Sequence, residues 1–221
     1  MVDYNKIFGV DDSYKAPEKI MEILYKKEER EKLFMELLEA NNFDVSFDWF
    51  HEYFQEEHAD RKVKKQDFTP RCVATLLSEL VMTSDEEKGL YYECCAGTGG
   101  LMITFWDRFR RTYSPFDYEP CFHFAHVEEL SDRTIPFLLL NMMIRGMNGI
   151  VIHGDVISRK CKNAYLICNT DNDHFKFSSI TNIPHTEEFE KELMVKFESE
   201  EYVEHKELMD LEMLSGIVGR D

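Results

Sequence analysis

A glycine bend and three acidic residues carry the chemistry that can be read from this sequence. The stretch Glu93-Cys94-Cys95-Ala96-Gly97-Thr98-Gly99-Gly100 follows an apolar run and opens a helical one. Glycines at such a bend allow positive φ and let a ligand approach the backbone with no Cβ in the way. The spacing is neither the GxGxxG dinucleotide fingerprint nor a P-loop, since no Gly-Lys-Ser/Thr follows. Pyrophosphate wants free helix-terminal N–H groups and no nearby carboxylate, so Glu93 suits a cationic or hydroxyl-bearing ligand better. Glu128-Glu129 ends a second strand-like run, where α/β folds hold ribose hydroxyls. His153-Gly154-Asp155 ends a third, a natural place for an acceptor of an adenine amino group. Together they describe a nucleoside pocket without a phosphate site, as S-adenosylmethionine requires.

Placing these groups side by side takes parallel βαβ units. Leu90 to Glu93 reads as a strand, Leu101 to Arg111 as a helix, Phe122 to Glu128 as a strand and Asp132 to Arg145 as a helix. Ile150 to His153 and Tyr165 to Cys168 read as third and fourth strands. Strands alternating with helices of this length predict a parallel sheet with flanking helices, its strand carboxyl ends along one ligand-binding edge. Ahead of it, residues 1–66 read as a helical region. Pro17 suits a first helical turn, and Ile20, Ile23, Leu24, Leu33, Phe34, Leu37 and Leu38 recur at helical spacing up to Asn41-Asn42. Phe47, Phe50, Tyr53 and Phe54 continue the pattern. Pro70 opens a short helix whose Val73, Leu76, Leu77, Leu80 and Val81 form one apolar face. The expected organisation is a helical region (1–66), an α/β domain (67–185) and an acidic amphipathic helix (186–221).

Composition sets the outer bounds. The 221 residues carry 26 Lys+Arg against 43 Asp+Glu, a net charge of −17. Nucleic-acid affinity rests mainly on Lys and Arg against phosphate, so DNA contact by such a chain must be local or come from a partner. Seventeen Phe and ten Tyr exclude a wholly disordered acidic chain. No basic-then-apolar leader is seen, and the most apolar stretch, Ile135–Ile144, is half a membrane span containing Asn141. The six cysteines form no CxxC pair, which favours buried thiols in a reducing cytosol over zinc, and no metal is assigned. The expectation is a soluble, cytoplasmic protein.

From about Asp44 to Asn169 the chain resembles the modification (methylase) subunits of type I restriction–modification systems, adenine-N6 DNA methyltransferases with a Rossmann-like fold. Asp48-Trp49-Phe50-His51-Glu52-Tyr53-Phe54, followed by Gln66-Asp67-Phe68-Thr69-Pro70, is similar to the family's helix and its Gly-Gln-Phe-Phe/Tyr-Thr-Pro, with Asp67 in place of an aromatic. The resemblance implies that Phe68, Thr69 and Pro70 cover the methionine part of S-adenosylmethionine. Glu93 to Gly100 is similar to its cofactor loop Asp-Pro-Ala-Cys-Gly-Thr-Gly-Gly, with Glu for Asp and Cys94 for Pro, and the resemblance implies that Glu93, Ala96, Gly97, Thr98, Gly99 and Gly100 bind the cofactor. Glu129 falls where the family places its ribose-binding Glu, and the spacing to Asn141-Met142-Met143-Ile144-Arg145-Gly146, similar to the family's Asn-Leu-Leu-Leu-His-Gly, implies Glu129 over Glu128. His153-Gly154-Asp155 matches the family's His-Gly-Asp, which implies that Asp155 contacts the cofactor's adenine.

The family's catalytic motif is Asn-Pro-Pro-Phe/Tyr. Its Asn and a backbone carbonyl grip the amino group of a flipped adenine, and its aromatic stacks on the base. Here only Asn169, the expected catalytic residue, remains of it, in Asn169-Thr170-Asp171-Asn172. About fifty residues follow, fewer than the family needs to complete its sheet. Phe175 to Ile180 offers one more strand, and Glu187 to Leu214 reads as the acidic helix. Two functions are therefore expected in competition. One is an adenine-specific DNA methyltransferase that meets DNA through a specificity subunit. The other is a catalytically silent, cofactor-binding accessory or anti-restriction protein that engages a protein partner through its acidic helix.

Overall fold

The computed structural model describes residues 2–57, 69–81 and 89–208. Four short helices come first: α1 (Tyr4–Phe8), α2 (Ala16–Leu24), α3 (Lys27–Ala40) and α4 (His51–Glu57). Asp3 caps α1 by accepting from the Lys6 N–H, and Gly9 ends it in the left-handed conformation. Pro17 lies in the first turn of α2. Helix α3 stops at Asn41, where Asn42 and Phe43 both take positive φ. Helix α5 (Arg71–Val81) then leads to the sheet.

The α/β part runs β1 (Gly89–Glu93), α6 (Gly100–Arg110), β2 (His123–Glu129), α7 (Ile135–Ile144), β3 (Asn148–Asp155), β4 (Lys160–Cys168), β5 (Ser179–Asn182), α8 (Glu187–Leu193) and β6 (Lys196–Phe197). The sheet order is β1-β2-β3-β4-β5, with β6 pairing β4. Strands β1, β2 and β3 are parallel. Strand β4 is antiparallel to β3, and β5 antiparallel to β4. The sheet is therefore mixed, which corrects the wholly parallel expectation. The reason is connection length. Four residues separate β3 from β4, and a parallel return needs a crossover of roughly a dozen or more.

One sheet face packs on α7, all ten residues of which are buried, and through it on the N-terminal helices. Phe8, Phe50 and Phe54 surround Phe137 at ring-centroid distances of 5.8, 5.0 and 4.8 Å. The helical region and the α/β part thus share one apolar core. A smaller cluster covers the other face, where Ile150, Ile152, Ala164 and Leu166 meet Leu193, Val195 and Leu208. Leu90 and Tyr92 of β1 are left exposed on that face.

The expected acidic helix is corrected as well. Helix α8 ends after seven residues, where Met194 takes φ 53°, and the chain continues extended to the Thr181–Lys206 bridge. Residues 209–221 lie outside the described ones. Leu193, Val195 and Phe197 alternate with exposed residues, so the same apolar set that fits a helix serves a strand-like segment. Among the described residues, no helix is long and apolar enough to cross a membrane.

Candidate functional site

The bend after β1 lies at the carboxyl ends of the three parallel strands. Gly97 and Gly99 take φ of 57° and 94°. At Gly99 a Cβ would come within 2.9 Å of Met102 and 3.0 Å of Leu138, so both conformation and space demand glycine. The Ala96 N–H donates to the Glu128 carbonyl at 3.0 Å, and the Gly97 N–H donates to Glu129 Oε2 at 2.7 Å. The second oxygen of Glu129 accepts from the Ser131 N–H at 2.8 Å. One carboxylate thus fixes the loops after both β1 and β2, and each of its oxygens keeps a lone pair for a hydroxyl.

Neighbouring Glu128 points to the other side of the sheet. It accepts from Arg159 Nη1 at 2.7 Å and from the Tyr92 hydroxyl at 2.9 Å, and is 2% exposed. Asp155 closes β3 and shapes its own turn, accepting from the Ile157 N–H at 2.9 Å and the Ser158 hydroxyl at 2.8 Å. Those bonds hold its carboxyl below the usual range. Glu93 behaves oppositely. Burial pushes its carboxyl up to about 7, against the Tyr91 hydroxyl that donates to it at 2.8 Å, with the nearby Glu129 charge adding to the rise.

These groups surround a cleft of about 420 Å³. Thr69, Glu93, Ala96, Gly97, Gly100, Glu129 and Asp155, all expected from the sequence, line it. Its lining holds four carboxylates, from Asp48, Glu93, Glu129 and Asp155, and no lysine or arginine among the described residues. Thr98 and Gly99 sit beneath the bend, both buried. Pro70 is exposed and starts α5, its carbonyl accepting from the Val73 and Ala74 N–H groups. Phe68 lies outside the described residues.

A family model described as N-6 DNA Methylase matches residues 44–214, more than three quarters of the chain. The chain belongs to the N-6 DNA methylase family. No curated protein matches it.

Within this N-6 DNA methylase chain, the expected catalytic residue stands apart from the cleft. Because β4 runs back along β3, its carboxyl end lies at the opposite edge of the sheet. The Asn169 N–H donates to Asn148 Oδ1 at 2.7 Å, beside the first residue of β3, whereas Asp155 is the last. At about 3.3 Å per residue those ends are roughly 20 Å apart. Asn169 is 5% exposed, and its side chain closes its own loop. Its Nδ2 donates to the carbonyls of Asp173 and Lys176, at 2.8 and 3.0 Å, and its Oδ1 accepts from the Asp173 N–H. The structure therefore does not bring Asn169, expected as the catalytic residue that grips the amino group of a flipped adenine, to the cleft.

The structure also adds residues that spacing had not singled out. Asp48 is 8% exposed and sits between α4 and the bend. It accepts from the Thr98 hydroxyl, from Asn141 Nδ2 at 2.9 Å and from the Phe50 N–H at 3.0 Å. Arg145 completes the network, donating to Asn141 Oδ1 at 2.7 Å and to the carbonyls of Val45 and Phe47 at 2.9 and 2.6 Å. Its guanidinium lies 4.7 Å from the Trp49 ring, and burial lowers it to about 10. A polar Asn141 inside an otherwise apolar helix was the available sequence signal. A buried amide needs partners, and here it finds them on the N-terminal segment and the bend.

Proposed function

We propose that this protein binds S-adenosylmethionine in the cleft at the ends of β1, β2 and β3. In this reading it serves adenine-specific (N6) DNA methylation as a Rossmann-like relative of type I modification subunits. The observation that carries the reading is the cleft's charge, four carboxylates with no lysine or arginine among the described lining residues. Such a site disfavours phosphate and suits a ligand bearing a sulfonium and an ammonium. Glu129 would hold the ribose hydroxyls, Asp155 the adenine amino group and Glu93 the methionine ammonium. Gly97 gives the backbone approach, and Thr69 with Ala96 and Gly100 bounds the methionine end. The bound cofactor supplies an electrophilic methyl group. The chain's own residues orient it and exclude side chains from its path. With a net charge of −17, DNA is expected to reach the site with help from a partner such as a specificity subunit.

Calorimetric titration with S-adenosylmethionine tests this. Micromolar binding is expected, lost in Gly97→Trp and weakened about tenfold or more in Glu129→Ala. Absence of binding heat in the unaltered protein would refute the reading. One observation favours a second reading, a cofactor binder that does not methylate, namely the distance of Asn169 from the cleft. Tritium transfer from cofactor to mixed-sequence DNA, with and without a specificity subunit, separates the two. Incorporation supports the enzyme, and its absence under both conditions supports the silent binder.

A further inference from the structure

Strand β1 is one edge of the sheet, paired with β2 alone among the described residues. An edge strand offers a row of unpaired N–H and C=O groups to another strand. On one face of β1, Leu90 and Tyr92 are 79% and 58% exposed. Helix α5 leaves a second apolar surface uncovered, formed by Val73, Leu76, Leu77 and Leu80. The geometry points to one occupant for both surfaces: a strand of another protein that adds to the open edge of β1, apolar on both faces and basic at its ends. This docking edge stands whether or not the cleft holds S-adenosylmethionine.

Helix α5 marks the space for that strand. It packs on the flank of α6, with Glu79 3.5 Å from Arg108. On α6, Phe105 lies about 60° round from Arg108. Its ring meets that of Tyr91 on β1 at 5.2 Å, so α5 sits beside α6 on the side of the open edge. The two helices run the same way, since Ala74 shares a pocket with Gly100 and Thr104 while Glu79 reaches Arg108. Ala74 and Ser78, the buried residues of α5, are turned to α6. At about 100° per residue, Leu77, Val73 and Leu80 then lie about 80–140° round, on the side turned to the level of the sheet. A helix is about 10 Å wide and strands lie about 4.8 Å apart, so α5 roofs about two strand positions beyond β1. No described strand fills them. A segment there would meet α5 on one face and pair beside Leu90 and Tyr92 on the other, and both faces call for apolar residues. Residues 58–68 and 82–88, outside the described ones, are mostly polar. A second copy would bring another net charge of −17, and its own α6 to the place that α5 roofs. The charge favours instead a partner with lysine or arginine flanking its strand.

Amide exchange read by NMR tests this on the full chain, with a peptide of alternating Val and Ile flanked by lysines as the probe. In the protein alone, the β1 amides that do not bond to β2 should exchange fast. The peptide should slow them about tenfold or more. The same peptide with Pro at every second position lacks the donors for a ladder and should leave them unchanged. Leu80→Lys on α5 and Leu90→Lys on β1 should each weaken the peptide about tenfold or more. Both positions are exposed, so the melting temperature should stay within about 3 °C in either variant. Slow exchange of those amides without peptide would assign the edge to a segment of this chain. A dimer in sedimentation that Leu90→Lys dissolves would assign it to a second copy. Either result overturns the proposal, as would no slowing by the peptide, equal binding of the proline control, or indifference to both substitutions.

Discussion

Burial pushes the Glu93 carboxyl up to about 7, so near neutral pH the ligand-free protein carries this acid partly protonated. A cationic ligand prefers the ionised form. Affinity for S-adenosylmethionine should therefore rise between pH 6 and 8, with proton uptake by buffer, which calorimetry in two buffers of different ionisation enthalpy measures. The same group acts on stability with the opposite sign to an ordinary salt-bridged carboxylate. Its folded value lies above the unfolded 4.5, so its contribution is fully present below pH 4.5 and is lost as pH rises through about 7. At about 1.4 kcal/mol per pH unit, Glu93→Gln should make the ligand-free protein up to about 3 kcal/mol more stable at pH 8, while weakening the cofactor. Denaturant titration at pH 5 and pH 8 reads the difference. Asn169 gives the complementary case. Asn169→Ala removes the donor that closes residues 169–176 and should cost about 1–3 kcal/mol of stability, leaving cofactor affinity unchanged.

Helices α5 and α7 show how differently an apolar pattern can be used. Every residue of α7 is buried, and Leu138→Ala should cost about 2–5 kcal/mol in chemical denaturation. Helix α5 carries an equally clear apolar face, yet Leu76, Leu80 and Val81 are 54%, 73% and 62% exposed, while Ala74 and Ser78 face inward. Leu80→Ala should change stability by no more than about 0.5 kcal/mol. Periodicity told where both helices were, the residues at the strand ends pointed to the bend, the Glu128-Glu129 pair and Asp155, and the family resemblance narrowed the pair to Glu129. Periodicity did not tell which way a helix would face, because that depends on what packs above it. Nor did it tell that β4 would return beside β3. The deciding feature was the four-residue turn 156–159, held by the bonds of Asp155 and by Arg159, which takes φ 59° and reaches Glu128. Strand ends read two to five residues short concealed it. Asp48 and Arg145 were quoted within matched stretches, but their pairing was not legible because their partners are about 50 and 100 residues away in sequence.

At the scale of the whole molecule, the first and last described segments are tied by one buried ion pair. Arg30, 1% exposed on α3, donates to both carboxylate oxygens of Glu207, at 2.6 and 3.0 Å, and to the Leu24 carbonyl. Burial alone would raise Glu207, but the Arg30 guanidinium outweighs it and holds the carboxyl below its usual value. Glu207→Ala would strand a buried charge and should cost about 3–5 kcal/mol. Because the folded value is depressed, this contribution is present above the unfolded 4.5 and fades as pH falls further, which thermal melts between pH 6 and 3 would follow. The pair keeps the extended tail against β5, where Leu208 completes the smaller core. That packing in turn supports the β3–β4 turn through Arg159, whose Nε donates to the Met194 carbonyl at 2.9 Å.

The most direct examination of this account is a crystal structure grown with S-adenosylhomocysteine. The predicted result is ligand density in the cleft, with ribose hydroxyls on the Glu129 carboxylate, the adenine amino group on Asp155 and the backbone of Gly97 alongside. Density lodged elsewhere, or a cleft left empty at saturating ligand, would contradict it.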